Sequence, residues 1–287
     1  MFALFVGKAT KCRKSRLKDS WKGISAMENV PSVQSQNIAA FTPRADDVYI
    51  VTYPRSGTTW LQMIIYQLTT SGDMDFTHIS QFIPFLERAF LRDRKLERLS
   101  SPRAFKTHWQ LSRVMRWPGK YIYVTRNGRD VLVSYYYFYK EYHNFNQSFA
   151  EFMDRFLEGT VQYGTWFHHI ADSRLHLNDN SVLFLSYEDL VASLEERLQD
   201  IITFLGLNIS TADRTRVLDR CTFRYMREHE SKFDHATEVL WEKTQELSRG
   251  TFLRQGKPGN WKEHLTPEQE LAFECAVSRV RGYRKIR

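Results

Sequence analysis

The residues best suited to bind an anion lie between a strand-like and a helix-like segment near residue 55. The run Arg55-Ser56-Gly57-Thr58-Thr59 combines a fixed charge, a glycine that lets the backbone approach a ligand, and hydroxyl donors. It follows the β-branched and aromatic run 48–52 and precedes an amphipathic helical pattern over 60–68. The N–H groups and dipole of such a helix favour a phosphate or a close relative. A capped helix after a strand gives the same local pattern. The assignment of an anion-binding loop therefore depends on matching residues elsewhere in the chain.

A second group that suits chemistry is Lys106-Thr107-His108, at the end of a predicted strand over residues 103–109. The alternation of side chains along a strand places Lys106 and His108 on the same face. A histidine suits proton removal, and a nearby cation stabilises the negative charge that results. A histidine at a strand end is nevertheless more often structural than catalytic, so this pattern is not decisive alone.

Two further segments offer groups for a second phosphate. Arg126 follows the predicted strand 120–125 and Ser134 lies on the next predicted helix, so both side chains are available to one anion. Segment 252–262 contains two glycines, a proline and three cations. This composition is typical of a loop that closes over an anion, and equally of a solvated basic loop.

The order of predicted elements indicates how these groups are positioned. Strand patterns at 48–52, 103–109, 120–125 and 181–187 alternate with helical patterns, one of which is a single long helix over 148–172. This alternation predicts an α/β single domain with a central, mostly parallel sheet flanked by helices. In such folds, ligands bind at the carboxyl ends of the strands, where the phosphate-binding strand-loop-helix would lie.

The basic residues are concentrated at the two ends of the chain. Of the net charge of +8, residues 1–25 carry +6 and residues 279–287 carry +5, which leaves −3 for the residues between. This distribution argues against a nucleic-acid partner. The apolar run 1–6 is far too short to span a bilayer, and its charges follow it, unlike those of a secretory signal. We therefore predict no membrane span and a flexible basic extension over 1–40, with a weak organelle-targeting segment as the alternative.

The remaining composition is that of a globular chain, with 42% hydrophobic and 26% charged residues among 287. The three cysteines, Cys12, Cys221 and Cys275, are far apart and form no C-x-x-C pair. Their number and spacing argue against a disulfide framework or a cysteine zinc site, and favour a reducing compartment, here the cytoplasm. We predict one catalytic domain over residues 41–275 and a basic tail over 276–287.

Four segments together resemble the cytosolic sulfotransferase family over about residues 45 to 270. Residues 52–60 (Thr-Tyr-Pro-Arg-Ser-Gly-Thr-Thr-Trp) resemble the family's 5′-phosphosulfate loop, and residues 126–136 resemble its 3′-phosphate segment. Residues 182–190 resemble the strand that carries its adenine-site tyrosine, and residues 254–262 resemble its closing loop. The order and spacing of all four are those of the family.

The resemblance implies transfer of a sulfuryl group from phosphoadenosine phosphosulfate (PAPS) to a hydroxyl or amine by in-line displacement, without a metal. It makes His108 the general base, with Lys106 and Arg55 stabilising the charge that develops. The family's phosphosulfate contacts fall on Ser56, Gly57, Thr58, Thr59 and Trp60, and its 3′-phosphate contacts on Arg126, Ser134, Arg254 and Gly256. The adenine contacts fall on Trp60, Tyr187, Thr222 and Phe223. Further cofactor contacts fall on Arg55, Cys221, Met226, Phe252, Leu253 and Gln255.

Four positions depart from the family pattern. Arg55 replaces the loop lysine, so a planar fork takes the place of a mobile point charge. Gln255 stands where the family usually has lysine, which predicts weaker cofactor binding unless Lys257 compensates. The family's C-terminal dimer motif lacks its valine and glutamate here, where Pro267 and Leu271 stand, so the family's mode of dimerisation is doubtful.

The acceptor site is predicted in segments 76–90, 139–145 and 229–247. Their aromatic residues favour a small, apolar phenol or alcohol as the acceptor. Two other functions compete with a sulfotransferase. A P-loop nucleotide kinase is disfavoured because Gly57 precedes Thr-Thr rather than Lys-Ser/Thr, and because no acidic strand end suits Mg²⁺. A non-catalytic protein that binds PAPS or its product PAP is disfavoured by the presence of both Lys106 and His108.

Overall fold

The computed structural model describes residues 38–91, 95–234, 238 and 251–280. Most of the predicted basic extension, most of the tail and most of segment 235–247 therefore lie outside the described residues. The described part contains one parallel sheet of four strands: β1 (Val48–Thr52), β2 (Ala104–Thr107), β3 (Lys120–Thr125) and β4 (Val182–Ser186). Their spatial order is β2-β1-β3-β4. The prediction of a parallel α/β sheet is confirmed.

The described helices follow the strands and cover both faces of the sheet. They are α1 (Thr58–Thr69), α2 (Leu86–Leu91), α3 (Leu111–Val114), α4 (Gly128–Tyr142), α5 (Phe149–Glu158), α6 (Trp166–Ser173), α7 (Tyr187–Ala192), α8 (Leu194–Leu205), α9 (Thr211–Arg220), α10 (Phe223–Glu228) and α11 (Pro267–Arg279). Short 3₁₀ turns lie at Ile79–Gln81, Leu96–Arg98, Arg174–His176, Glu230–Lys232 and Asn260–Glu263. Among the described residues, no helix is long and apolar enough to cross a bilayer.

The alternation of side chains along β1 explains why the sheet has a hydrophobic core on each face. Tyr49 and Val51 belong to the core that includes α4 residues such as Leu132. Val48 and Ile50 belong to the other core, with α1 residues such as Ile64. All five residues of β1 are buried, as expected for a central strand of a parallel sheet.

The sheet order creates a crevice at the carboxyl ends of β1 and β3. These two strands are neighbours, with Thr52 opposite Val124 in the register. The helices that follow them, α1 and α4, pack on opposite faces of the sheet. This divergence is the topological switch point at which open α/β sheets bind their ligands. The loops that begin at Tyr53 and Arg126 leave the sheet here.

The predicted single helix over 148–172 is wrong, because the segment forms two helices, α5 and α6. Gly159 ends α5 in the left-handed conformation, with φ 77°. Thr165 then starts α6, and its side chain accepts a hydrogen bond from the N–H of His168. The glycine cap therefore outweighs the helical spacing of the apolar residues.

Candidate functional site

The loop after β1 forms a tight cradle around the start of α1. Arg55 and Gly57 both adopt positive φ, at 67° and 98°, and Gly57 is the N-cap of α1 without a side-chain cap. A Cβ atom on Gly57 would lie 2.9 Å from the ring of Tyr187. The hydroxyl of Ser56 is buried and has no hydrogen-bond partner among the described residues. A buried orphan hydroxyl beside a helix N-terminus fits an anion that supplies the missing partner.

His108 follows β2, and its ring has a defined tautomer. Its Nδ1 lies 2.8 Å from the carbonyl oxygen of Thr52 and 3.3 Å from the hydroxyl of the same residue. Because a carbonyl oxygen can only accept, Nδ1 carries the proton and Nε2 keeps the lone pair. Burial, together with the charge of Lys106, lowers the pKa of His108 to about 3. The imidazole is therefore neutral, as a base must be before it takes a proton.

The main chain and the rings around His108 hold it in place. Its backbone N–H donates to Oε1 of Glu87 at 2.8 Å. Phe85 and Tyr163 each contact the imidazole edge to face, with ring centroids 5.2 and 5.1 Å away. Tyr163 has a positive φ of 71°, a strained conformation for a non-glycine residue. Burial raises the pKa of Glu87 to about 7, so this carboxyl is partly protonated near neutral pH.

Lys106 lies near His108, as the alternation over the predicted strand 103–109 indicates, and it belongs to a buried ionic cluster. Its Nζ is 3.2 Å from Oε1 of Glu238, and Arg88 is 3.1 Å from the other carboxylate oxygen. The hydroxyl of Ser80 also donates to Glu238, at 2.5 Å. The ammonium group that the sequence assigns to charge stabilisation is therefore ion-paired in this structure.

Arg55 links three separate segments of the chain. Its Nε donates to the hydroxyl of Ser134 at 3.1 Å, and its Nη2 donates to the carbonyl oxygen of Phe252 at 3.0 Å. The guanidinium lies between the rings of Phe138 and Phe252, 5.1 and 4.8 Å from their centroids. Burial and the neighbouring Arg126 lower the pKa of Arg55 to about 10, so the group stays charged at neutral pH.

Aromatic and cationic groups form the wall next to Gly57. The guanidinium of Arg126 lies 4.3 Å from the ring centroid of Tyr187, and its Nη1 donates to the carbonyl oxygen of Arg55. Trp60 contacts the ring of Tyr187 edge to face, and its Nε1 donates to the carbonyl oxygen of Cys221 at 2.7 Å. Such a wall suits the flat face of a base and the charge of a phosphate.

The basic segment that begins at residue 252 is held as an ordered loop over the cradle. Asp130 of α4 accepts the backbone N–H groups of Gly259 and Trp261 at 2.7 and 3.1 Å. Arg227 of α10 donates to the carbonyl oxygens of Leu253 and Arg254, each at 2.8 Å. The segment is therefore anchored from two helices, which argues against a merely solvated loop.

One cavity of about 490 Å³ joins these groups. It is lined by nearly all of the predicted site residues, namely Arg55, Gly57, Thr58, Thr59, Trp60, Lys106, His108, Arg126, Ser134, Tyr187, Phe223, Met226, Phe252, Leu253, Arg254, Gln255 and Gly256. Three predicted residues do not line it. Ser56 is buried in the loop, Cys221 contributes its carbonyl oxygen to Trp60, and Thr222 is the exposed N-cap of α10.

Several residues of the site were not predicted individually. Thr52, Asp130 and Arg227 act through hydrogen bonds to residues distant in sequence, and no local pattern marks them. Glu87, Arg88 and Glu238 fall within the segments predicted for the acceptor, but that prediction rests on aromatic residues alone. Gln162 and Tyr163 line the cavity but lie outside those segments. A glycine next to Tyr163, Gly164, is the one sequence signal of the turn there.

The fold and this cavity define an α/β protein with an anion cradle at the switch point of its sheet. The profile of the sulfotransferase domain matches residues 45–280, and the chain belongs to the cytosolic sulfotransferase family. It is a sulfotransferase enzyme, so the resemblance seen in the sequence is confirmed.

Individual relatives agree with this assignment. The chain is 36% identical to human sulfotransferase 1E1 over 254 residues, which covers 83% of this chain and 84% of that protein. It is 32% identical to dog sulfotransferase 1B1 over 257 residues, with the same coverage of the two chains. The crystal structure of mouse sulfotransferase SULT7A1 complexed with PAP superposes with a TM-score of 0.68 at 26% identity, covering 88% of this chain and 91% of that one.

Proposed function

We propose that this sulfotransferase transfers the sulfuryl group of PAPS to a hydroxyl or amine of a small acceptor, with His108 as the general base. The observation that carries the proposal is the hydrogen bond from Nδ1 of His108 to the carbonyl oxygen of Thr52. It leaves the lone pair on Nε2 of a neutral imidazole that borders the cavity. A base in this state accepts the acceptor's proton as the new S–O or S–N bond forms.

The described residues fit the cofactor. The orphan hydroxyl of Ser56 and the N–H groups at the start of α1 supply donors for the phosphosulfate end, and Gly57 leaves room beside Tyr187. Arg126, Ser134, Arg254 and Gly256 would hold the 3′-phosphate. Trp60, Tyr187, Thr222 and Phe223 would surround the adenine, with the remaining contacts from Cys221, Met226, Phe252, Leu253 and Gln255. When bound, PAPS supplies an activated sulfuryl group whose bond to the 5′-phosphate oxygen breaks.

Catalysis would rest on positioning and fixed positive charge. Arg55 would stabilise the charge that builds on the leaving phosphate, because its guanidinium is fixed by Ser134 and Phe252. Lys106, which lines the same cavity as His108, would stabilise the transferring group. We propose a cytoplasmic enzyme with its catalytic domain over 41–275 and basic segments over 1–40 and 276–287, and with a small phenol or alcohol as its acceptor.

The test is PAPS binding by calorimetry with ATP as the control, followed by transfer of labelled sulfuryl from PAPS to a panel of phenols, alcohols and amines. We expect the affinity for PAPS to be well above that for ATP. We also expect His108→Ala to lose label transfer while it keeps PAP binding. Full activity in His108→Ala would refute the assigned base. PAPS binding without transfer to any acceptor would favour the non-catalytic alternative, and magnesium-dependent ATP turnover would favour the kinase.

A further inference from the structure

The acceptor end of the cavity contains charged groups where the sequence predicts an apolar wall. The ring of Phe85 is central to this end. The imidazole of His108 lies 5.2 Å from its centroid, Nζ of Lys106 also lies 5.2 Å away, and Cζ of Arg88 lies 5.6 Å away. One aromatic ring therefore borders the proposed base and a guanidinium. An acceptor whose hydroxyl reaches His108 therefore lies beside a ring that Arg88 also borders.

Among the described charged groups of the ionic cluster at this wall, the two cations are more exposed than the carboxylate that pairs with them. Arg88 and Lys106 have side-chain exposures of 20% and 11%, whereas the carboxylate of Glu238 between them is only 4% exposed. The acid is thus buried behind two cations and orients them. Burial raises the pKa of Glu87 to about 7, so this carboxyl carries only part of a negative charge near neutral pH.

We propose that the acceptor is a phenol or alcohol that carries an acidic group, such as a carboxylate, and that Arg88 binds this group. The inference rests on the proposed function, since it places the acceptor's hydroxyl at His108. A guanidinium that an ion pair holds in place is well suited to a carboxylate, because its planar fork matches two oxygens. An acceptor carrying an ammonium group is disfavoured, because the partly buried Arg88 and Lys106 are more accessible than the buried carboxylate of Glu238.

The experiment uses three acceptors of nearly the same shape: 4-hydroxyphenylacetate, its neutral amide 4-hydroxyphenylacetamide, and the cation tyramine. Their binding to the full chain is measured by calorimetry, without nucleotide and with saturating PAP. Their turnover with PAPS is measured separately. We expect the acid to bind about 10- to 100-fold more tightly than the amide, as for a charge-assisted hydrogen bond, and tyramine to bind most weakly. Binding of the acid should persist with PAP, because PAP then occupies the nucleotide half of the cavity.

Substitution of Arg88 tests whether the ionic cluster causes the preference for the acid over the amide. Arg88→Gln should reduce the ratio of the affinity for the acid to that for the amide to about one. Arg88→Lys should retain part of the preference for the acid. Arg116→Gln is the control, since Arg116 is exposed, packs on Trp117 and does not line the cavity.

Four results would overturn the inference: amide or tyramine binding as tight as that of the acid, no detectable binding of the acid at millimolar concentration, loss of that binding with PAP, or an unchanged ratio in folded Arg88→Gln. Should Arg88→Gln fail to fold, the three acceptors with the parent chain still decide the matter. Failure of PAPS to bind or react would count against the proposed function and not against this inference. The calorimetry of the acceptors without nucleotide requires neither PAPS binding nor turnover.

Discussion

Replacing Gly57 with alanine should destabilise the enzyme and disrupt its nucleotide site at the same time. Gly57 has a φ of 98°, and an added Cβ would lie 2.9 Å from the Tyr187 ring. That ring cannot move freely, because Arg126 stacks on it and Trp60 contacts its edge. The left-handed backbone costs an alanine about 1–2 kcal/mol, and overpacking adds about 1–3 kcal/mol.

Gly206 provides a matched control. It ends α8 with a φ of 70°, and a Cβ there would have no neighbour within 4 Å among the described residues. Gly206→Ala should therefore lower the free energy of unfolding only by the cost of the left-handed backbone. Gly57→Ala should melt lower than Gly206→Ala by about 2–12 °C, the equivalent of the extra 1–3 kcal/mol. By calorimetry, it should also bind PAP at least about tenfold more weakly, whereas Gly206→Ala binds like the parent. Equal melting temperatures and parent-like PAP binding in Gly57→Ala would refute the close approach to Tyr187.

Three other substitutions test the remaining groups. Arg55→Ala should lower kcat by about 10²- to 10³-fold in the transfer assay, because it removes a fixed charge; parent-like kcat would contradict the role. Gln255→Lys should tighten PAP binding about 3- to 10-fold in low salt and less in high salt, because it restores a cation; no change on calorimetry would indicate that Lys257 already compensates. The raised pKa of Glu87 means that the folded state binds more protons between pH 4.5 and 7. As the pH rises through this range, the free energy of unfolding of the parent should therefore fall by up to about 3 kcal/mol relative to that of Glu87→Gln. Denaturation at several pH values measures this difference, and parallel pH profiles of the two proteins would contradict the shift.

The sequence was sufficient to predict the local parts of the site. Arg55 to Thr59, the strand before them and the helix after them are contiguous, so the chain alone specifies the loop they form. The alternation over the predicted strand 103–109 likewise puts Lys106 and His108 on one side, where both line the cavity, and the alternating strands and helices predict the parallel sheet. Local pattern failed at Gly159, where a left-handed cap divides one predicted helix into two.

The chemical state of the site depends on contacts between residues distant in sequence. The sequence determined that a histidine follows β2, but only the fold brings Nδ1 of His108 to the carbonyl of Thr52, and that contact determines which nitrogen is basic. The sequence likewise contains Arg88, Lys106 and Glu238 in three separate segments. Their ion pairs form only when those segments pack together, because charge–charge interactions depend on separation in space and on burial, which residue order does not specify.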